Sequence, residues 1–287
     1  MNGVVVVDKP GGMTSFDVVA EVRRVLGERR VGHTGTLDPM ATGVLPICVG
    51  EATKLVPFLV GGDKEYETEL RLGVTTDSGD ATGTVTSETN AANVSRTDVE
   101  RALAGFVGAL QQRPPMHSAV RVGGRRLYEF ARRGIEIERA PRPIVVHAIE
   151  LVSFAPPALA LRVRCGKGTY IRTLATDLGA ALGVGAHLTA LRRTRVGPFG
   201  LEHALPLGAL AATTPLLSPA EALADHATVP LDAAQVRDVR AGKLRTIAEL
   251  RAPDGAGAHV RLIDGNGTLV AVAARCEGRL TLARVFC

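Results

Sequence analysis

Apolar residues recur along the chain with two different periods, and the switches between them outline its elements. Val4–Val7 is a short continuous apolar run that reads as a buried strand. From Thr14 to Leu26 the period lengthens: Val18, Val22, Val25 and Leu26 line one helix face. Thr14 and Asp17 stand at capping-box spacing, and Gly27 terminates the helix. Val44–Val49 is a second strand. Glu65–Leu72 alternates, with Tyr66, Thr68, Leu70 and Leu72 on one side. Thr97 and Glu100 have the spacing of another capping box, opening a helix faced by Val99, Leu103 and Phe106. Ile144–Val152 and Leu159–Cys165 read as strands, and Arg172 opens a helix carrying Leu174, Leu178 and Leu182.

A Pro- and Ala-rich tract around residues 205–230 marks a boundary. Beyond it, Ala233–Ala241 is helical in pattern and His259–Ile263, Thr268–Ala273 and Leu280–Val285 are strand-like. Asp264-Gly265-Asn266-Gly267 is a hairpin turn between the first two of these runs.

Composition narrows the class. With 287 residues, 46% of them hydrophobic, the chain has room for one large or two moderate domains and a substantial core. No apolar run is long enough to cross a bilayer, and the N-terminal residues lack the pattern of a signal peptide, so the cytosol is the expected compartment. Cys48, Cys165, Cys276 and Cys287 form no CxxC pair. They indicate neither a disulfide framework nor a zinc site.

Charge is unevenly placed. Residues 113–142 hold eight arginines against three glutamates, and residues 162–195 hold seven basic residues against Asp177 alone. Each segment equals or exceeds the net +5 of the chain, so the remainder is acidic. Two basic segments on an acidic body suggest a polyanion footprint.

The most distinctive stretch for chemistry is Gly32-His33-Thr34-Gly35-Thr36-Leu37-Asp38-Pro39-Met40-Ala41-Thr42-Gly43. Pro39 biases Asp38 to an extended backbone, and the glycines permit close approaches. Such a loop can present one carboxylate to a ligand. An ordinary Asp-Pro turn has the same local pattern.

This loop resembles the catalytic loop of TruB-type pseudouridine synthases, and the likeness extends to other blocks in order. They are Asp8–Ser15, Lys64-Glu65-Tyr66, Arg113–Ala119, Lys167–Arg172 and Leu191-Arg192-Arg193. Gly166 departs from the serine common before the Lys167 block. The resemblance implies an α+β fold: a pseudouridine synthase catalytic domain over 1–205 on a mixed, mainly antiparallel sheet. An RNA-binding insertion at about 113–142, a linker over 206–228 and a small PUA-like β domain over 229–287 complete the expected layout.

It also implies the activity, isomerisation of the T-loop uridine at position 55 of tRNA, and the roles of residues. Asp38 is the catalytic carboxylate, Arg172 the guanidinium that offsets its desolvation, and Tyr66 the ring that stacks on the extruded base or moves a proton at C5. Leu191 is an apolar wall beneath the uracil. His33, Lys9, Tyr170, Arg193 and Lys167 complete the substrate-binding set, with an ammonium at Lys9 able to meet either backbone carbonyls or RNA. The reaction requires no cofactor and no metal. The implied partner is the T arm of tRNA, with no membrane and no protein partner, and the family expectation is a monomer. Two other readings share these features: a noncatalytic tRNA-binding or folding protein, and the catalytic subunit of a guide-RNA ribonucleoprotein.

Overall fold

The structure, a computed structural model, describes residues 1–276 and 279–286, the side chain of Leu244 excepted, and Cys287 lies outside the described residues. The fold is α+β. The chain forms two compact units, one of Met1–Asp38, Val44–Gly61 and Gly197–Cys287, the other of Pro39–Gly43 and Gly62–Val196.

The second unit is built on antiparallel strands in the order Ala186–Val196, Lys64–Leu72, Ala158–Cys165, Arg142–Ala155 and Gly108–Gln112. Lys64–Leu72 is its centre. Every second side chain from Lys64 to Leu72 is buried, so the predicted alternation is the observed one. Thr42 and Gly43 add a parallel pairing with Arg192 and Arg193, which makes the sheet mixed. Gly43 has φ +102°, and a Cβ there would stand 2.1 Å from the Arg193 carbonyl oxygen, so only glycine lets the two backbones meet. The helix Ile171–Ala181 packs on Ala186–Val196. Its Gly179 admits Ala186, whose nitrogen would lie 2.2 Å from an added Cβ.

In the first unit, the buried strand Gly3–Lys9 pairs in parallel with Leu205–Pro206, and Val4 bridges to Leu217. The helix Ser15–Leu26 has the foreseen capping box of Thr14 and Asp17, and Gly27 closes it in the left-handed region. Val31–His33 pairs antiparallel with Ile47–Val49. A separate four-stranded sheet follows the order Thr228–Pro230, His259–Ile263, Leu269–Cys276 and Arg279–Val285. Its core includes Val239, Val260, Leu262, Val270 and Leu280. The Asp264 carboxylate accepts from the Asn266 and Thr268 amides, fixing the predicted hairpin turn. Thr228–Pro230, read as part of the Pro- and Ala-rich tract, is the fourth strand, and the helix Leu244–Glu249 lacks any clear periodic signal in the sequence.

One expectation is corrected. The helix after residue 95 is Arg96–Ala104, and its capping box is Ser95 with Asp98, not Thr97 with Glu100. Ser95-x-x-Asp98 and Thr97-x-x-Glu100 are overlapping registers of one motif. The earlier start adds the Arg96–Glu100 ion pair at 2.7 Å while Val99 and Leu103 stay buried. Phe106 falls beyond the Gly105 cap, outside the helix.

The cap position is directly testable. Ser95→Ala should lower the free energy of unfolding by about 1 kcal/mol. Thr97→Ala, at an exposed site, should stay within about 0.5 kcal/mol of the parent in denaturant titration.

Candidate active site

Asp38 ends a loop whose shape is set by its neighbour. Ser15, the first residue of its helix, accepts from the Leu37 amide at 2.8 Å and donates to the Leu37 carbonyl at 3.2 Å. Leu37 and Ser15 are both buried, so this two-way bond is shielded from water and fixes the backbone entering Asp38. Upstream, the Thr34 amide donates to the Pro46 carbonyl at 3.1 Å, closing the base of the loop. Between these two clamps His33 accepts the Gly35 amide at Nδ1, 3.2 Å away, and its ring meets the Phe16 ring edge-on at 5.8 Å. Asp38 itself is half-buried.

Lys9 belongs to the same unit and is 0% exposed. Its ammonium donates to the carbonyls of Pro10 at 2.8 Å and Met13 at 2.6 Å. Of the two fates open to it from sequence, the structure places it on backbone carbonyls, where it shapes the turn leading to Thr14 and Ser15.

The second unit carries Tyr66, Arg172, Leu191, Tyr170, Arg193 and Lys167. Tyr66 and Arg193 are brought together: they are cross-strand partners, both buried, and their side chains hydrogen-bond. Arg193 is 1% exposed. Burial pulls its pKa down, while the Tyr66 phenol works in the opposite direction. Leu191, buried on the same strand, faces Thr68 across the ladder. Tyr170 is the residue before the Ile171–Ala181 helix, and Gln112 clamps it by accepting from its amide at 2.8 Å and donating to its carbonyl at 3.0 Å. Lys167 is exposed in the preceding turn.

Arg172 is 3% exposed and donates to the carbonyls of Ser78 at 2.9 Å and His117 at 2.7 Å, with Nε 3.7 Å from the Asp80 carboxylate. Asp80 was not singled out in the sequence. It is itself buried, and its carboxylate accepts from Ser78 Oγ at 2.8 Å and Thr82 Oγ1 at 2.6 Å. The only local trace of this was the polar turn Asp77-Ser78-Gly79-Asp80. Gln112 and Ser15 were missed for the same reason, because each acts through a backbone group distant in sequence.

Lys64 is a further buried cation, with Tyr66 two residues on along the same face of the strand. It donates to the Gly62 carbonyl at 2.5 Å. Burial first, and then the Arg193 charge, push its pKa down to about 8. Burial lifts the Cys165 thiol to about 11, which removes it as a nucleophile at neutral pH. Among the described residues no group of three or more His, Cys, Asp or Glu side chains could hold a metal ion, and no helix is long and apolar enough to cross a membrane.

A family model described as TruB family pseudouridylate synthase (N terminal domain) matches residues 23–171, and one described as tRNA pseudouridylate synthase B C-terminal domain matches residues 172–234. The chain is similar to a tRNA pseudouridine synthase B of Aromatoleum aromaticum, 46% identical over 94% of this chain and 91% of the relative. A protein of the same name from Symbiobacterium thermophilum is 53% identical over 78% of this chain and 77% of its own length. Among solved structures, one of a Cbf5–Nop10–Gar1 complex superposes with a TM-score of 0.78 at 28% identity, covering 99% of this chain and 85% of that chain.

The depressed lysine gives a measurable consequence. Unfolded, Lys64 keeps its proton up to about 10.5, and folded only up to about 8. Between these values the unfolded state binds more protons, so this group makes stability rise with pH. Lys64→Met removes the contribution. In paired denaturant titrations the stability of the variant relative to the parent should therefore fall as pH is raised from 8 towards 10. A difference that does not change with pH would mean that Lys64 titrates as in water.

Proposed function

The chain belongs to the TruB family of pseudouridylate synthases, and we propose that it isomerises the T-loop uridine at position 55 of tRNA to pseudouridine. The observation that carries this reading is the Asp38 loop, pinned by Ser15, in a chain that aligns along most of its length with tRNA pseudouridine synthases. The reaction breaks the N1–C1′ bond, turns the base and joins C5 to C1′. In balance, C5 loses a proton and N1 gains one.

Asp38 supplies the carboxylate, as nucleophile or as base towards a ribose proton. Closing RNA over it raises the cost of its charge, and Arg172 is the fixed cation that offsets this. A buried guanidinium already held by two carbonyls beside the Asp80 carboxylate keeps its position when substrate arrives, which is what preorganisation requires. Tyr66 stacks on the extruded uracil and takes part in the proton transfer at C5, with Arg193 as its hydrogen-bond partner. Leu191 is the apolar wall. His33, Tyr170 and Lys167 hold the displaced RNA, and Lys9 contributes through the turn it organises.

Extruding the uridine costs a few kcal/mol of unstacking, which binding elsewhere has to offset. The arginine-rich segment 113–142 is suited to this, and Gly123, Gly124 and Gly134 lie in the left-handed region within it. The same proposal takes 1–205 as catalytic domain, 206–228 as connector and 229–287 as a PUA-like RNA-binding domain. It has the enzyme acting as a monomer in the cytosol, without guide RNA or protein partner.

Purified protein should form pseudouridine in an unmodified tRNA transcript at the T-loop uridine alone, mapped to the nucleotide. Asp38→Asn should leave product below detection while tRNA binding persists. Binding by both proteins without product from either would favour a tRNA-folding protein instead. For the insertion, tryptic cleavage between residues 121 and 139 should slow by about fivefold or more when tRNA is added. Equal rates would count against closure of this segment on RNA.

A further inference from the structure

Phe16 is the second residue of the Ser15–Leu26 helix and is 60% exposed. Core packing does not account for it. The buried residues of that helix are Ser15, Val18, Val19, Val22 and Leu26, a single stripe from which residue 16 is turned away. A large ring left in water forfeits the stabilisation that burial would bring, so its placement calls for a partner.

Three contacts fix where the ring stands. Its own backbone follows directly from Ser15, whose hydroxyl holds both the amide and the carbonyl of Leu37, the residue before Asp38. Phe16 is thus registered to the catalytic loop by one peptide bond and one side chain. Its ring is braced by His33, with centroids 5.8 Å apart and planes at 88°. The His33 ring is in turn oriented by the Gly35 amide at its Nδ1. In an edge-to-face pair, one of the two rings keeps both faces clear of the other. The pair is therefore a rigid aromatic corner between the Ser15–Leu26 helix and the loop that presents Asp38.

We propose that Phe16, braced by His33, is a stacking platform for one unpaired base of the RNA substrate, and that it governs how tightly the substrate is held rather than how fast it reacts. The inference rests on the tRNA reading of the Asp38 loop. The chemistry recognised is the flat face of a nucleobase displaced from its own stack, which an exposed aromatic accepts with little regard to sequence. A loop that extrudes its uridine leaves neighbouring bases without stacking partners, and Phe16 supplies one.

The absence of tryptophan from the chain makes the test direct. Phe16→Trp places a single indole at the platform. In an Asp38→Asn background, where substrate is bound and not consumed, its emission should be quenched on titration with a T-arm hairpin. In the active enzyme, Phe16→Ala should raise KM by about fivefold to a hundredfold, the range that loss of one stacked base corresponds to. The kcat should stay within about twofold. Phe16→Trp should restore KM, and Phe16→Leu, apolar without an aromatic face, should not. Unmoved indole emission while filter retention shows the hairpin bound would overturn the proposal, as would an alanine variant with unchanged KM or a loss confined to kcat. If the parent makes no pseudouridine, the tRNA isomerase reading fails, and the indole titration still decides whether RNA stacks at residue 16.

Discussion

Four cations with almost no access to water, Lys9 in one unit and Lys64, Arg172 and Arg193 in the other, impose the constraint around which the turns that hold them are built. A charge removed from water has to find oxygen nearby or lose its proton. Here the oxygens are mostly backbone carbonyls: Pro10 and Met13 for Lys9, Gly62 for Lys64, Ser78 and His117 for Arg172. Arg193 has the Tyr66 hydroxyl. Each carbonyl belongs to a segment without regular hydrogen bonding of its own, so the cations shape the turns as much as the turns hold the cations. Replacing Lys9 or Arg172 by an apolar residue would take the donor from two carbonyls at once.

The arrangement suits an enzyme that works on a polyanion. Exposed cations would move with the phosphates they meet, whereas a guanidinium already bonded on several sides stays where it is. In the unit Gly62–Val196, rigid positive charge at Arg172 and Arg193 stands beside the arginines of the 113–142 segment, most of which are not buried. The Ser15–Leu37 bond performs the corresponding task for the anion, since it fixes the backbone next to Asp38 without touching the carboxylate.

Much of the scaffold was legible because its signals are local. Burial of alternate residues in Lys64–Leu72 follows from a period of two, and the Ser15–Leu26 helix is bounded by a capping box and a glycine that suffice alone. Asp38 stood out because glycines and a proline crowd around one acid. The cap at Ser95 was misread because two overlapping motifs satisfy the same spacing, and only three-dimensional packing distinguishes them. Asp80, Gln112 and Ser15 were illegible in their roles. Ser78, whose carbonyl meets Arg172, is 94 residues away from it, and Gln112 is 58 from Tyr170. No window along the chain contains both members of such a pair.

The pairing of Gly3–Lys9 with Leu205–Pro206, and of Val4 with Leu217, has a consequence for biosynthesis. One edge of Gly3–Lys9 meets Thr42–Val49, made soon after it, while the other edge waits for partners encoded roughly two hundred residues later, about 10–40 s at ordinary elongation rates. During that interval one edge of an apolar strand of consecutive valines has its backbone groups unsatisfied, the condition under which nascent chains recruit chaperones or pair wrongly. In the stretch Gly62–Val196 of the other unit the wait is shorter, since Lys64–Leu72 meets Ala158–Cys165 and Ala186–Val196 roughly a hundred residues later. Its antiparallel ladder can close while the C-terminal residues are still being translated, giving the late-arriving strands a partly folded molecule to complete.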